Sequence, residues 1–181
     1  MNRLINKAPE SIIIDEIEYP INTDFRDCLI TVQALQDDDL TNEEKAEILI
    51  ENFYDVVPDD LEKALEKAME FYRCGKDSDN NQSNEKVCDF ERDADYIYSA
   101  LLKKGIDLDK CDNMHWWTFM SHFSEIDNST FNRIVYLRMK NKKGKLTKEE
   151  REECDHLGWN VINMRDNSKD DDIEAYLLGD D

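Results

Sequence analysis

The chain reads as mainly α: a single helical domain of about seven helices, with a short N-terminal β-hairpin and a flexible internal linker. Three observations predict this. Apolar residues recur at helical spacing through most of the chain. Two capping boxes, Thr41 to Glu44 and Thr147 to Glu150, mark helix starts. Only 5 Gly and 3 Pro occur in 181 residues, too few for a turn-rich β-sandwich. A chain of this length has room for a proper core.

The hairpin comes first. Ser11-Ile12-Ile13-Ile14 is rich in β-branched residues, Asp15-Glu16 is the turn, and Ile17 to Ile21 alternates apolar and polar. Pro20 cannot donate to a ladder, so that strand is an edge or ends there. Asn22 or Thr23 caps a helix from about Asp24 to Leu35, with Phe25, Cys28, Leu29 and Val32 on one face. The Thr41 box opens a second helix to about Tyr54, burying Ile48, Leu49 and Phe53. Pro58 starts a third through Leu61, Ala64, Leu65, Ala68, Met69 and Tyr72, which Gly75 closes.

Residues 76–86 change character. Asp, Asn, Ser and Gln dominate from Lys76 to Glu85 with nothing apolar, so the segment reads as a linker. It divides an N-terminal subregion, 1–75, from a C-terminal helical subregion, 87–165. The fourth helix runs from about Asp89 to Lys104 and the fifth carries Met114 to about Phe123, capped by Asp112 or Asn113. The sixth follows Ser129 with Phe131, Ile134, Val135 and Leu137. The Thr147 box opens a last helix through Cys154, Leu157, Val161 and Ile162. An acidic tail, 166–181, completes the chain.

The formal charge of −20 argues against nucleic acid, whose binding needs Lys and Arg to displace counterions, and against an anionic membrane surface. It favours solubility. No stretch approaches the ~20 apolar residues of a membrane span, and the N-terminus lacks a signal-peptide pattern. Five cysteines, an odd number without any CxxC, fit a reduced compartment. One basic island interrupts the acid: Arg138, Lys140, Lys142, Lys143, Lys145 and Lys148. It reads as a loop pairing with acidic neighbours.

Catalytic and metal chemistry find little support. His115 and His122 lie seven apart, about 10 Å along a helix, too far for one zinc unaided. Cys111–His115 and Cys154–His156 lack an orienting third group. Asp89, Glu91, Asp93 and Asp95 fit a helix N-terminus and a solvated face better than an acid–base pair. No phosphate-binding, dinucleotide, zinc-protease or nucleophile-elbow motif occurs. The expectation is a protein that is not an enzyme and needs no cofactor and no metal.

The densest apolar block is Met114-His115-Trp116-Trp117-Thr118-Phe119-Met120. Tandem Trp in a helical domain is most often core and nothing more; neighbours on a helix also point about 100° apart, so one Trp can face the core while the other reaches a second surface. With Glu18–Arg26, Phe90–Tyr98 and Phe131–Arg138, this block resembles a small phage family of the tail module, encoded just before the tape-measure gene in long-tailed phages and prophages of Gram-positive bacteria. The resemblance covers roughly residues 8 to 145. It implies a non-catalytic tail assembly chaperone in the host bacterial cytoplasm, whose partners are the tape-measure protein and other tail proteins, with self-association into a homo-oligomer left open. It also implies partner-binding roles for Trp116, Trp117, Phe119, Tyr19 and Phe131. The chain departs from that pattern in lacking an Asn-Gly turn at Asp15-Glu16 and in its acidic end. The alternative is an acidic DNA mimic that blocks a host nucleic-acid-binding protein, against which the basic island counts.

Overall fold

The computed structural model of the chain describes residues 2–76 and 87–164; the rest of the expected linker and the acidic tail lie outside them. The fold is mainly helical with a two-stranded antiparallel hairpin. The described residues form two compact units. The first holds residues 2–76 with Asn113–Ser121. The second holds residues 87–112 and 122–164. The aromatic block thus groups with the N-terminal helices, although in sequence it follows the linker.

In the first unit, β1 (Ser11–Ile14) pairs with β2 (Ile17–Pro20) in the register Ser11↔Pro20 to Ile14↔Ile17. Asp15 and Glu16 both take positive φ, 49° and 67°. That is the twist a two-residue hairpin turn demands, here made without glycine. Lys63 reaches the turn, its Nζ 2.7 Å from Asp15 Oδ1. Ile14 is buried, and a bridge at Ile21↔Tyr54 carries the hairpin into the helices.

Helix α1 (Phe25–Leu35) is capped by Asp24, which accepts from the Arg26 amide, rather than by Asn22 or Thr23. Its buried face is Phe25, Cys28 and Thr31; Leu29 and Val32 are only half-buried. Helix α2 (Asn42–Phe53) has the complete Thr41–Glu44 box, and the bonds from Thr41 hold the Glu44 carboxyl below its ordinary value. It buries Leu49, Ile50 and Phe53, with Ile50 in place of the expected Ile48. Helix α3 (Leu61–Tyr72) starts later than Pro58, behind an Asp60 cap, and packs Ala64, Ala68 and Phe71 inward. The small Ala64 and Ala68 let α3 approach α2, and the Tyr54 hydroxyl donates to the Ala64 carbonyl at 2.9 Å.

Helix α5 (Trp116–Ser124) contributes its residues to Ser121 to this first unit. In the second, α4 (Ala94–Lys103) begins five residues later than Asp89. The Asp89 carboxylate instead accepts from the Glu91 and Arg92 amides, forming a local turn. A 3-10 turn follows at Leu108–Lys110. Helix α6 (Thr130–Lys142) is capped by Ser129 as expected, and α7 (Lys148–Leu157) by the Thr147–Glu150 box. Gly158, at φ 91°, then breaks the last expected helix, leaving α8 (Trp159–Ile162) as a separate turn. Eight α-helices are therefore present among the described residues instead of about seven.

The centre of the second unit is an ion pair. Asp93 and Arg138 are each almost wholly buried, and the guanidinium grips both carboxylate oxygens, at 2.6 and 2.8 Å. Arg138 also donates to the carbonyls of Val87 and Val161. One side chain thus ties α6 to the start of α4, to the segment before it and to α8. Asp93, expected on a solvated face, is inside; Arg138, expected to pair with an acidic neighbour, does so, but from the end of α6 and buried rather than from a loop. Removing either partner leaves a buried charge alone, which costs roughly 3–5 kcal/mol. Asp93→Ala and Arg138→Ala are each expected to lose about that much in urea unfolding. The double variant should lose less than the two together, because the second change removes the charge the first had stranded. Additive losses would show that the pair is not coupled.

Candidate functional site

The aromatic block is held by main-chain bonds. The Phe25 amide donates to the Met114 carbonyl at 2.9 Å, and the Trp116 amide donates to the Thr23 carbonyl at 2.7 Å. This short antiparallel clasp, centred on Asp24↔His115, draws the start of α5 against the start of α1. His115 completes it. Its Nδ1 accepts from the Trp117 amide at 3.0 Å, so the side chain caps α5, and its Nε2 lies 3.0 Å from the Pro9 carbonyl. Both bonds fit one neutral tautomer, with the proton on Nε2. Asp112 and Asn113 are not the cap.

Both tryptophans then point inward. The Trp116 indole N–H donates to the Tyr72 carbonyl and that of Trp117 to the Phe71 carbonyl, at 3.1 and 2.8 Å. These carbonyls lie at the end of α3, and that of Phe71 also accepts from the Cys74 amide at 2.8 Å. Phe119 stacks on Phe25 with centroids 4.9 Å apart, and on Trp116. Gly75 passes so close that an added Cβ would stand 3.1 Å from the Trp117 ring, with the backbone at φ 65°. The division that helical geometry allows, one Trp in the core and one on a second surface, is not what the fold does: both indoles are buried within one unit. Phe119 is buried beside them, and Phe131 is buried in the second unit against Phe123. Of the five residues read as partner-binding, only Tyr19 keeps part of its surface, edge-on to Tyr54.

What the first unit does offer is a groove of about 750 Å³. Asn22, Asp24, Asp27 and Ile30 line it from α1 and the segment before it, Glu51, Asn52 and Asp55 from α2 and the residues after it. Asp24 and Asp27 are engaged locally, Asp24 as a cap and Asp27 by the Asn22 amide at 2.8 Å. Glu51 and Asp55 are exposed and take part in no ion pair among the described residues. Ile30 stands 58% exposed beside them, and Val56, next to Asp55, is also exposed. The surface is thus amphipathic, with an exposed isoleucine among carboxylates. Nothing in the hydropathy pattern marked it, because Ile30 falls off the buried face of α1 and its neighbours read as ordinary solvated acids.

Residues 4–159 match the family described as Bacteriophage Gp15 protein. The chain belongs to that family. It is therefore a phage protein, and the family suggests a structural or assembly role. No curated protein and no solved structure matches the chain significantly.

Within this family member, the groups weighed for chemistry are mostly built into the fold. Burial pushes the Cys28 thiol up to about 12 and raises those of Cys74 and Cys154, the opposite of what activates a nucleophile. Both ring nitrogens of His115 are occupied. Among the described residues, no group of three His, Cys, Asp or Glu side chains is placed to hold a metal, and no helix is long and apolar enough to cross a membrane.

Two outcomes are expected. Trp116→Ala and Trp117→Ala should each destabilise the protein by about 3–5 kcal/mol, as buried Trp losses do; a change below 1 kcal/mol in urea unfolding would mean the indoles are not core. Burial lowers the His115 pKa, against the pull of the Pro9 carbonyl. The unfolded state therefore binds the proton more readily, and the stability this provides is complete above about pH 6.5 and lost as pH falls towards the lowered folded value. Between pH 7.5 and 5.5, above the range of the carboxylates, stability should fall. In His115→Asn, which keeps a capping acceptor but cannot titrate, that slope should be smaller. Equal slopes would remove His115 as the cause.

Proposed function

We propose that this chain is a non-catalytic tail assembly chaperone that binds the tape-measure protein in the host cytoplasm. Family membership supports a phage assembly role. The observation that supports client binding is the amphipathic groove, where Ile30 stands exposed beside Glu51 and Asp55, which take part in no ion pair among the described residues. A tape-measure chain is a long helix with exposed apolar faces. Such a helix docks by placing apolar anchors in a groove, and carboxylates at the rim select one with Lys or Arg alongside. The buried aromatic block serves this indirectly, by setting the start of α1, which forms one wall. A highly acidic surface keeps a chaperone with an apolar client soluble.

Co-expression tests this. The wild-type chain should raise the soluble fraction of the tape-measure protein. Ile30→Asp and the double change Glu51→Lys with Asp55→Lys lie on exposed positions and should leave the helical circular dichroism unchanged. Each should weaken client binding by about tenfold or more, as loss of a hot-spot contact does. Folded variants that bind normally would remove the groove from the reading. A wild-type chain that fails to solubilise the client and instead retains host nucleic-acid-binding proteins would favour the acidic mimic.

A further inference from the structure

The basic island is smaller and more exposed at its end than its sequence suggests. Arg138 is consumed by Asp93. Lys140 bonds both oxygens of Glu150 and, with the Thr147 bond, holds that carboxyl down to about 2. Four lysines remain, Lys142, Lys143, Lys145 and Lys148, all exposed around the end of α6 and the start of α7. Lys142, Lys143 and Lys145 take part in no ion pair among the described residues, and Lys148 only reaches Glu152 at 3.9 Å. Two large apolar side chains, Tyr136 and Met139, are exposed one and two turns back on the same helix.

In a chain of net charge −20, these four exposed lysines form a local positive surface that attracts acidic segments. We propose that they form a docking surface for an acidic polypeptide segment, and that its occupant is residues 166–181 of this same chain. Three observations carry the assignment. The first is where the described chain ends. The Asn141 side-chain amide donates to the Asn163 side chain at 2.9 Å, so residue 163 sits beside the residue that precedes Lys142. The second is charge: residues 166–181 carry seven Asp or Glu and one Lys, with Asp170, Asp171, Asp172 and Glu174 close together. The third is order. This acidic run is followed by Tyr176-Leu177-Leu178, as the lysines adjoin the exposed Tyr136 and Met139. Reach is ample, since the seven residues from Asn163 to Asp170 span up to about 25 Å.

A short tether gives the tail an effective concentration near ~1 mM, so even an affinity of about 0.1 mM would keep the surface covered ~90% of the time. The contact is electrostatic and near the surface, so it weakens as salt shortens the screening length from ~8 Å at physiological ionic strength to ~3 Å at 1 M. An acidic partner would then compete with the tail for the same lysines.

The test is lysine acetylation of the full-length chain, read by peptide mass spectrometry, with Lys67 as internal reference. The comparison is the full-length variant Asp170→Asn, Asp171→Asn, Asp172→Asn and Glu174→Gln, which keeps chain length and the described fold. Lys142, Lys143 and Lys145 are expected to react about tenfold slower in the wild type than in the variant at low salt, and equally fast in both at 1 M salt. A synthetic peptide of residues 165–181 should restore protection to the variant. Equal low-salt rates in the two chains would overturn the proposal. So would protection that grows with protein concentration, which would assign the surface to a second copy.

Discussion

The first unit depends on the clasp between Thr23–Phe25 and Met114–Trp116. It joins segments some ninety residues apart and consists of main-chain bonds. Closing so long a separation has an entropic cost that two hydrogen bonds do not offset by themselves. What offsets it is the burial the clasp makes possible: two indoles and Phe119 enter a core of Phe25, Phe53 and Phe71. Burying each large aromatic side chain contributes several times the net value of a hydrogen bond. The clasp sets direction and the aromatics supply the driving force. The indole N–H groups are then themselves satisfied by carbonyls at the end of α3. Polar and apolar requirements are met by the same two side chains.

Much of the helical frame was legible from local chemistry. Both capping boxes formed as read, Ser129 capped α6, and the hairpin turned at Asp15-Glu16 despite lacking glycine. Each signal needs only residues within a turn or two of one another. The misreadings share a cause: the answer lay in a distant partner. Asp24 displaced Asn22 and Thr23 as a cap because its carboxylate also faces the Met114 amide. Asp93 looked solvated alone, since an acid near a helix start is usually exposed, and the run of lysines around Arg138 did not name the acid it would pair with. Only the pair, 45 residues apart, explains their burial. The aromatic block was found by composition, but its direction was not. Helical geometry allowed neighbouring tryptophans to diverge, and did not say that both would meet one core.

The carboxylates divide by what faces them. Glu44, Asp60 and Glu150 are held below their ordinary values by amides or lysines and act as caps and ties. Such groups are satisfied and offer little to a partner. Glu51 and Asp55 take part in no ion pair among the described residues. A partner meeting them gains attraction without first breaking an internal bond. The same distinction separates Lys140, committed to Glu150, from Lys142, Lys143 and Lys145. Counting charges along the sequence merges these classes, which is why the net value of −20 described solubility better than it located a surface.

This sorting bears on how the surface of the chain can be specific. Trp116, Trp117 and Phe119, of the kind that usually anchors an interface, are spent inside. Apolar surface remains outside, including Ile30 near Glu51 and Asp55, and Met139 one turn before the exposed lysines at the end of α6. The apolar atoms supply attraction to any greasy segment. The adjoining charge decides which segment is accepted, because a like charge brought against it costs more than a small apolar contact returns. The acidic groove therefore disfavours this chain's own acidic stretches and the lysine surface accepts them. A client with basic residues along an apolar stripe is sorted the opposite way. Opposite charge at the two surfaces lets one chain hold a basic client at the first and its own acidic end at the second, without either displacing the other.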